Sequence, residues 1–151
     1  MKNNPFQGRE VIVFRALRGH LVEVPVADVP ANCGVTGFPS PADDHLDKSL
    51  DLNNYFQIGP TTYFIFAYGQ SMIDADIQEG DVLIVDTNVD WRNREYVVCR
   101  LNNEVLVKRV EQRRGRYFLT SANPKFVPVE ITEFDDAVVF GPVVGQARKR
   151  R

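Results

Sequence analysis

The chain has 151 residues, of which 18 are basic and 20 acidic, so its formal net charge is −2; 44% of the residues are hydrophobic and 25% are charged. This length suits one domain with a single substantial core, and the composition excludes a collagenous or wholly disordered chain. No apolar run approaches the roughly 18 residues of a membrane-spanning helix, and residues 1–5 lack a signal-peptide core. Cys33 and Cys99 alone cannot form a disulfide framework, so we expect a reducing, cytoplasmic setting.

Residues 1–36 predict an extended N-terminal arm. Within them, residues 10–15 and 21–26 alternate in the manner of strands, but Pro25, Pro30 and scattered glycines interrupt the pattern. The segment is too short to form a domain of its own. We therefore expect an arm that precedes the folded domain.

Residues 40–43 (SPAD) carry the signature of a helix start. Ser40 suits the N-cap, and Pro41 suits the first helical position. Leu46 and Leu50 lie four residues apart, so on a helix both would face the core. We expect one short helix here.

From residue 62 onward, short β-branched or aromatic runs alternate with turn residues, which is typical of a mainly β fold. Asn102 and Asn103 suit a two-residue hairpin turn, and Gly115 suits another. Because little helix separates the runs, the pairing should be mainly antiparallel. We predict a compact antiparallel β-barrel or sandwich over residues 37–147, with strands at 62–67, 81–85, 96–101, 104–110, 116–120, 127–131 and 137–144.

The charge is unevenly distributed. Residues 148–151 are all basic, and the rest of the chain carries 14 basic and 20 acidic side chains, a balance of −6. A domain that binds nucleic acid directly would be expected to be basic. We interpret residues 148–151 as a solvated basic tail rather than a phosphate-binding element.

Few residues could act as a nucleophile or a base. A Ser-His-Asp triad would need His20 from the arm or His45 from the predicted helix, and neither has a flanking signature. The histidines and cysteines lack the close spacing of a zinc site, and no phosphate-binding glycine loop occurs, so we expect neither metal nor cofactor. Ser40 is explained as a cap and Ser49 as part of a polar helical stretch. The full set of serines is Ser40, Ser49, Ser71 and Ser121.

Ser71 and Lys108 form a candidate catalytic pair. Ser71 follows an apolar strand, and Gly69 permits a tight turn that presents a hydroxyl beside backbone amides. The period of two places Lys108 on the same strand face as Leu106 and Val110, so its ammonium is directed at an apolar surface. Burial that lowered the lysine pKa by about 3 units from ~10.4, roughly 4 kcal/mol, would make it a base near neutrality. The structural alternatives are an ordinary turn serine and an edge-strand lysine that extends its charge to solvent.

Three segments occur in a recognisable order: residues 69–74 (GQSMID), 80–86 (GDVLIVD) and 107–109 (VKR). Together they resemble the self-cleaving Ser-Lys peptidase domain of the LexA-type family. Upstream, residues 37–43 (GFPSPAD) and 51–53 (DLN) resemble the branch of that family that serves SOS mutagenesis. The resemblance spans about residues 30–145, and it departs at Arg94 and Glu95, where relatives have Gly-Asp before a strand.

The resemblance implies a mechanism and a set of partners. Ser71 would be the nucleophile, Lys108 the general base, and the backbone amides of Gln70 and Ser71 the oxyanion hole. The substrate would be the chain's own arm, cleaved when a RecA filament on single-stranded DNA stimulates the reaction. The shortened product, as a homodimer, would join a UmuC-type Y-family polymerase subunit in error-prone translesion synthesis. The resemblance implies no sequence-specific DNA binding by the chain itself and no membrane.

Two bonds are candidates for cleavage. Relatives cleave at Ala-Gly or Cys-Gly, which favours the bond between Cys33 and Gly34. Gly37, however, precedes residues 38–41 (FPSP) as the scissile glycine does in relatives, which leaves the bond between Thr36 and Gly37 as the alternative. Residues 35–37 would have to absorb an insertion in the first case, which loops tolerate well.

Other functions fit the same residues. One is a phage- or plasmid-type self-cleaving regulator whose DNA-binding partner lies elsewhere, because residues 1–33 have no helical periodicity that would suit a helix-turn-helix. Another is a non-catalytic β module that binds a polymerase, in which Ser71 and Lys108 are structural. Signal-peptidase activity uses a related dyad but needs a membrane anchor, which we do not expect here.

Overall fold

A computed structural model describes the backbone of residues 13–15, 23–26 and 48–150, with side chains from residue 50 to residue 150. The chain divides into two compact units, one formed by Met1–Ala16 with Pro60–Arg151 and the other by Leu17–Gly59. The strands are β1 (Val13–Arg15), β2 (Glu23–Val26), β3 (Lys48–Asp51), β4 (Thr62–Phe66), β5 (Val82–Asp86), β6 (Tyr96–Leu101), β7 (Glu104–Arg113), β8 (Arg116–Thr120), β9 (Val129–Ile131) and β10 (Ala137–Ala147), and the one α-helix of the described residues is α1 (Leu52–Tyr55).

The first unit is built on an eight-stranded sheet in the order β1-β4-β5-β10-β6-β7-β8-β9. Every neighbouring pair is antiparallel. The prediction of a mainly β, antiparallel fold is therefore confirmed, and each strand predicted after residue 61 is present with ends shifted by a few residues. β10 lies at the centre because it pairs with β5 through its last residues and with β6 through its first.

The second unit contains a small antiparallel pair, β2 with β3, followed by α1. The prediction that Leu50 lies on a helix is wrong, since Leu50 pairs with Val24 in this ladder and Ser49 lies on the same strand. Pairing with a strand that is distant in sequence has overridden the local helical spacing. The helix begins instead after Asp51, whose side chain caps it by accepting from the backbone N–H of Asn53 at 2.9 Å. Residues 40–47, the predicted helix start, lie outside the described residues.

The core of the first unit consists of two clusters on opposite faces of β6. Val97 and Val98 are adjacent and both fully buried, and because neighbouring strand residues point to opposite faces, they belong to different clusters. One cluster contains Ile65, Ala67, Met72, Ile77, Leu83, Val85 and Val98. The other contains Val97, Cys99, Val110 and Leu119. Because β6 is packed on both faces, the β6–β7 hairpin has little freedom to move.

The two predicted hairpin turns are confirmed. Asn102 and Asn103, between β6 and β7, have φ of 49° and 71°, the left-handed conformation that asparagine tolerates. Arg114 and Gly115, between β7 and β8, have φ of 50° and 78°. Arg94, which precedes β6, also has a left-handed backbone conformation, with φ of 69°, and its N–H donates to the carbonyl of Val110 at 2.7 Å.

A buried carboxylate joins β7 to β8. Glu111 is 3% exposed and lies between Arg109 and Arg113, with which it forms ion pairs. Burial alone would raise the pKa of Glu111, but the Arg113 hydrogen bond and the two positive charges lower it below its usual value. The Thr120 hydroxyl also contacts Glu111 at 3.3 Å. The end of β8 is thus held against the middle of β7.

The interpretation of residues 148–151 as a solvated tail is wrong for Arg148. Its guanidinium forms hydrogen bonds with Asp81 and Asp76, and only a quarter of its side chain is exposed. A fully buried carboxylate needs a paired cation, which the end of the chain supplies here. Lys149 and Arg150 are exposed, as expected.

Candidate active site

Ser71 lies in a turn that follows β4. Gly69 has φ of 83°, as its predicted role in a tight turn requires. The start of this turn is anchored by two hydrogen bonds, from the N–H of Ala67 to the carbonyl of Asp81 at 2.8 Å and from the N–H of Gly80 to the carbonyl of Ala67 at 2.9 Å. Met72, directly after Ser71, is 3% exposed and packs into the core. The backbone is therefore fixed on both sides of Ser71, by the Ala67 hydrogen bonds and by the buried Met72, and Ser71 itself is half-buried.

Lys108 lies on β7, directly opposite Val97 of β6. Its Nζ atom donates to Oγ of Ser121 at 2.9 Å and lies 5.5 Å from the centre of the Phe126 ring. The side chain is partly buried, and this burial lowers the pKa of Lys108 below its ordinary value, while the nearby Cys99 opposes the shift. A lysine in this environment loses its proton more readily than one in water.

Both residues line one cavity of about 380 Å³. Its walls are mostly apolar side chains with a few polar groups, which is the usual character of a small binding cleft. Gln70, whose backbone amide is predicted to serve with that of Ser71 in the oxyanion hole, also lines it. The lining residues are 65–72, Ile77, Glu79, 105–108 and Phe126. The structure thus brings together all the predicted catalytic residues, although they are 37 positions apart in sequence.

A third segment, residues 121–123, contacts both sides of this cavity. Ser121 contacts Lys108, and Asn123 donates from Nδ2 to the carbonyl of Gln70 at 2.7 Å. Neither Ser121 nor Asn123 is among the site residues predicted from the sequence. The sequence did contain a signal for Ser121, because the β7–β8 hairpin turn sets a strand register that places residue 121 opposite Lys108.

The other predicted site residues are not in this cluster. Cys33, Gly34, Thr36 and Gly37, the residues of the two candidate scissile bonds, lie outside the described residues, as do His20 and His45. Cys99 is buried, and burial raises its pKa to about 11 in spite of the positive charge of Lys108. Within the described part of the chain, no three His, Cys, Asp or Glu side chains are grouped as metal ligands would be. No described helix has the length and apolar character needed to span a membrane.

Comparison with known proteins places these residues in a family. Residues 32–144 match the family described as Peptidase S24-like. The chain is 36% identical over 114 residues to a LexA repressor of Pseudomonas chlororaphis, covering 75% of this chain and 56% of the relative. It is likewise 36% identical over 112 residues to a LexA repressor of Bordetella parapertussis, covering 74% of this chain and 52% of that relative. The chain thus spans about half the length of the curated relatives it matches.

Proposed function

Because the chain belongs to the Peptidase S24-like family, we propose that it is a self-cleaving serine peptidase in which Ser71 attacks a peptide bond in the chain's own N-terminal arm. The observation that carries this proposal is the shared cavity, since Ser71 and a partly desolvated Lys108 line the same apolar cleft. A nucleophile and a base in one cleft are the minimum that covalent catalysis needs.

The reaction proceeds in two halves. The neutral amine of Lys108 takes the proton of the Ser71 hydroxyl as Oγ adds to the scissile carbonyl, and the backbone N–H groups of Gln70 and Ser71 stabilise the oxyanion. The Lys108 ammonium then gives the proton to the leaving amine as the C–N bond breaks. A water molecule, deprotonated by Lys108, hydrolyses the acyl-serine and restores the hydroxyl.

The arm serves as the substrate because it is tethered to the cleft. A tethered segment presents its own peptide at roughly millimolar effective concentration, so an extensive specificity pocket is unnecessary. The cleaved bond is Cys33–Gly34, with Thr36–Gly37 as the alternative. We favour Cys33–Gly34 because relatives cleave at Ala-Gly or Cys-Gly and the Cys33 side chain is small and unbranched, unlike that of Thr36.

The biological role that we propose is that of a UmuD-type mutagenesis protein in the cytoplasm. A RecA filament on single-stranded DNA stimulates cleavage, and the processed homodimer joins a UmuC-type polymerase subunit. This role is supported by the resemblance of residues 37–43 and 51–53 to that branch. A second candidate, a phage- or plasmid-type self-cleaving regulator, is favoured by the similarity to proteins named LexA repressors.

Self-cleavage is tested by incubating the purified chain at pH 10, and separately at neutral pH with RecA, ATP and single-stranded DNA. We expect two fragments by mass spectrometry, and no fragments from Ser71→Ala or Lys108→Ala. Thr87→Ala and Lys149→Ala change an exposed hydroxyl and an exposed amine outside the cavity lining and serve as controls. Cleavage of either dyad variant at the wild-type rate would refute the assignment.

The masses of the fragments also identify which of the two candidate bonds is cleaved. Release of residues 1–33 identifies Cys33–Gly34, and release of residues 1–36 identifies Thr36–Gly37. Co-purification of a Y-family polymerase subunit with the processed form supports the mutagenesis role. Binding of the uncleaved form to a separate DNA-binding protein supports the regulator.

A further inference from the structure

We propose that residues 121–123, the positioning segment, hold the turn that carries Ser71 and the side chain of Lys108 at a fixed distance from each other. Ser121 and Asn123 are the positioning residues. The inference rests on the self-cleavage function proposed above and concerns residues outside the predicted dyad. Its basis is that three consecutive residues contact both members of the pair or their immediate neighbours.

Ser121 acts on Lys108. The register that pairs Arg109 with Thr120 places Ser121 opposite Lys108, and the Lys108 amine donates to its hydroxyl at 2.9 Å. A lysine amine stands on a flexible four-carbon stem, so an anchored acceptor restricts where it can lie. The anchor is firm because the preceding Thr120 is buried and bonded to the carbonyl of Arg109.

Asn123 acts on the peptide that precedes Ser71. Its Nδ2 donates to the Gln70 carbonyl at 2.7 Å, and its Oδ1 accepts from the N–H of Lys125 at 3.0 Å, so both ends of the side-chain amide are occupied. The Gln70 carbonyl and the Ser71 N–H belong to one planar trans peptide group and point in opposite directions. Holding the carbonyl therefore also sets the direction of the Ser71 N–H, one of the two proposed oxyanion donors.

Ala122 completes the segment through its backbone. Its N–H donates to Sδ of Met72 at 3.4 Å, and its carbonyl accepts from the N–H of Asp74 at 2.8 Å. The segment thus contacts residues on both sides of Ser71 while its first residue contacts Lys108. Any displacement of the segment would change the separation of nucleophile and base, to which catalytic rates are very sensitive.

The experiment measures the self-cleavage rate of the full chain from pH 6 to pH 11 in Ser121→Ala, Ser121→Thr and Asn123→Ala. For Ser121→Ala we expect the high-pH plateau to fall about tenfold and the midpoint to move to lower pH, because a hydrogen bond that favours the ammonium is lost. Ser121→Thr, which retains the hydroxyl, should restore both values. For Asn123→Ala we expect a plateau about tenfold to a hundredfold lower with an unchanged midpoint.

Controls separate positioning from folding. Asn123→Asp replaces the Nδ2 donor with a carboxylate oxygen and keeps the acceptor for Lys125, so it should lower the plateau even if Asn123→Ala does not fold. Because it also adds a negative charge, only its plateau is compared. Thr132→Ala and Asn88→Ala alter exposed polar side chains, and their cleavage plateau and midpoint should equal those of the wild type. Melting temperatures are measured for all variants, and rates are compared well below them, because a merely structural role would change stability and leave plateau and midpoint in place.

The outcomes distinguish the two proposals. If the wild type cleaves and Ser71→Ala does not, but Ser121→Ala and the Asn123 variants keep the wild-type plateau and midpoint, the positioning segment is refuted and the dyad stands. If the wild type never cleaves, both proposals fall. A lowered plateau in Ser121→Ala and in the Asn123 variants that fold, with the midpoint lowered in Ser121→Ala and unchanged in Asn123→Ala, establishes the inference.

Discussion

The guanidinium of Arg148 contacts the fully buried carboxylate of Asp81 through two hydrogen bonds, from Nε to Oδ1 at 2.6 Å and from Nη2 to Oδ2 at 2.8 Å. The hydrogen bond from Arg148 holds the pKa of Asp81 below its usual value against the opposing effect of burial, and the N–H of Gln78 assists. Because the pKa is lower in the folded than in the unfolded chain, Asp81 stabilises the fold above pH ~4, and this stabilisation is lost as the pH falls through the lowered pKa.

Arg148→Ala should therefore destabilise the protein at neutral pH. It leaves a buried carboxylate without its cation, so we expect a melting temperature lower by roughly 5 °C or more at pH 7. Below pH ~4 the difference from the wild type should shrink, because protonated Asp81 no longer needs a cation. Thermal denaturation from pH 3 to pH 8 measures this, with Lys149→Ala as the matched control. A difference that is constant with pH would contradict the account.

The self-cleavage rate should rise with pH through a midpoint below ~10.4, the ordinary pKa of lysine. Only the neutral amine of Lys108 can accept the Ser71 proton, and burial lowers the pKa at which it becomes neutral. Quantified fragment release between pH 6 and pH 11 checks this prediction. Lys108→Arg keeps the positive charge at every accessible pH and should be inactive throughout. A rate that is flat or falls with pH would exclude Lys108 as the base.

Gly141→Ala should be strongly destabilising. A Cβ atom at Gly141 would lie 2.3 Å from the backbone oxygen of Asp86, and the backbone, unlike a flexible side chain, has little freedom to move away. We expect a loss of about 2 to 3 kcal/mol of unfolding free energy in urea. Gly59→Ala is a suitable control because its Cβ would meet only the backbone oxygen of Gln57 at 4.0 Å. Equal effects of the two substitutions would contradict the argument.

Cys99 should be unreactive in the folded protein. It is 2% exposed, and burial raises its pKa to about 11, so at pH 8 roughly one molecule in a thousand carries the thiolate. In a Cys33→Ser background, where Cys99 is the only thiol, Ellman's reagent should react at least about a hundredfold more slowly with folded than with urea-unfolded chain. Comparable rates in the two states would show that Cys99 is accessible.

Local features were predictable because they depend on neighbouring residues. The strands after residue 61 follow from alternating β-branched and aromatic residues, and the Asn102-Asn103 turn follows from the tolerance of asparagine for positive φ. Leu50 shows where such reasoning fails, since a spacing of four residues suggested a helix and a partner strand decided otherwise. Spacing alone does not reveal which distant segment will supply hydrogen bonds.

The sequence by itself determined which chemistry is available: one serine after a glycine turn, one lysine among apolar strand residues, and no grouping of histidines and cysteines for a metal. Only the tertiary structure decided which groups meet. Ser121 reaches Lys108 because of a hairpin register, Asn123 reaches Gln70 across 53 positions, and Arg148 reaches Asp81 across 67. Contacts of this kind arise when burial brings polar groups together and each must find a partner, and this condition depends on the packed fold rather than on any local pattern.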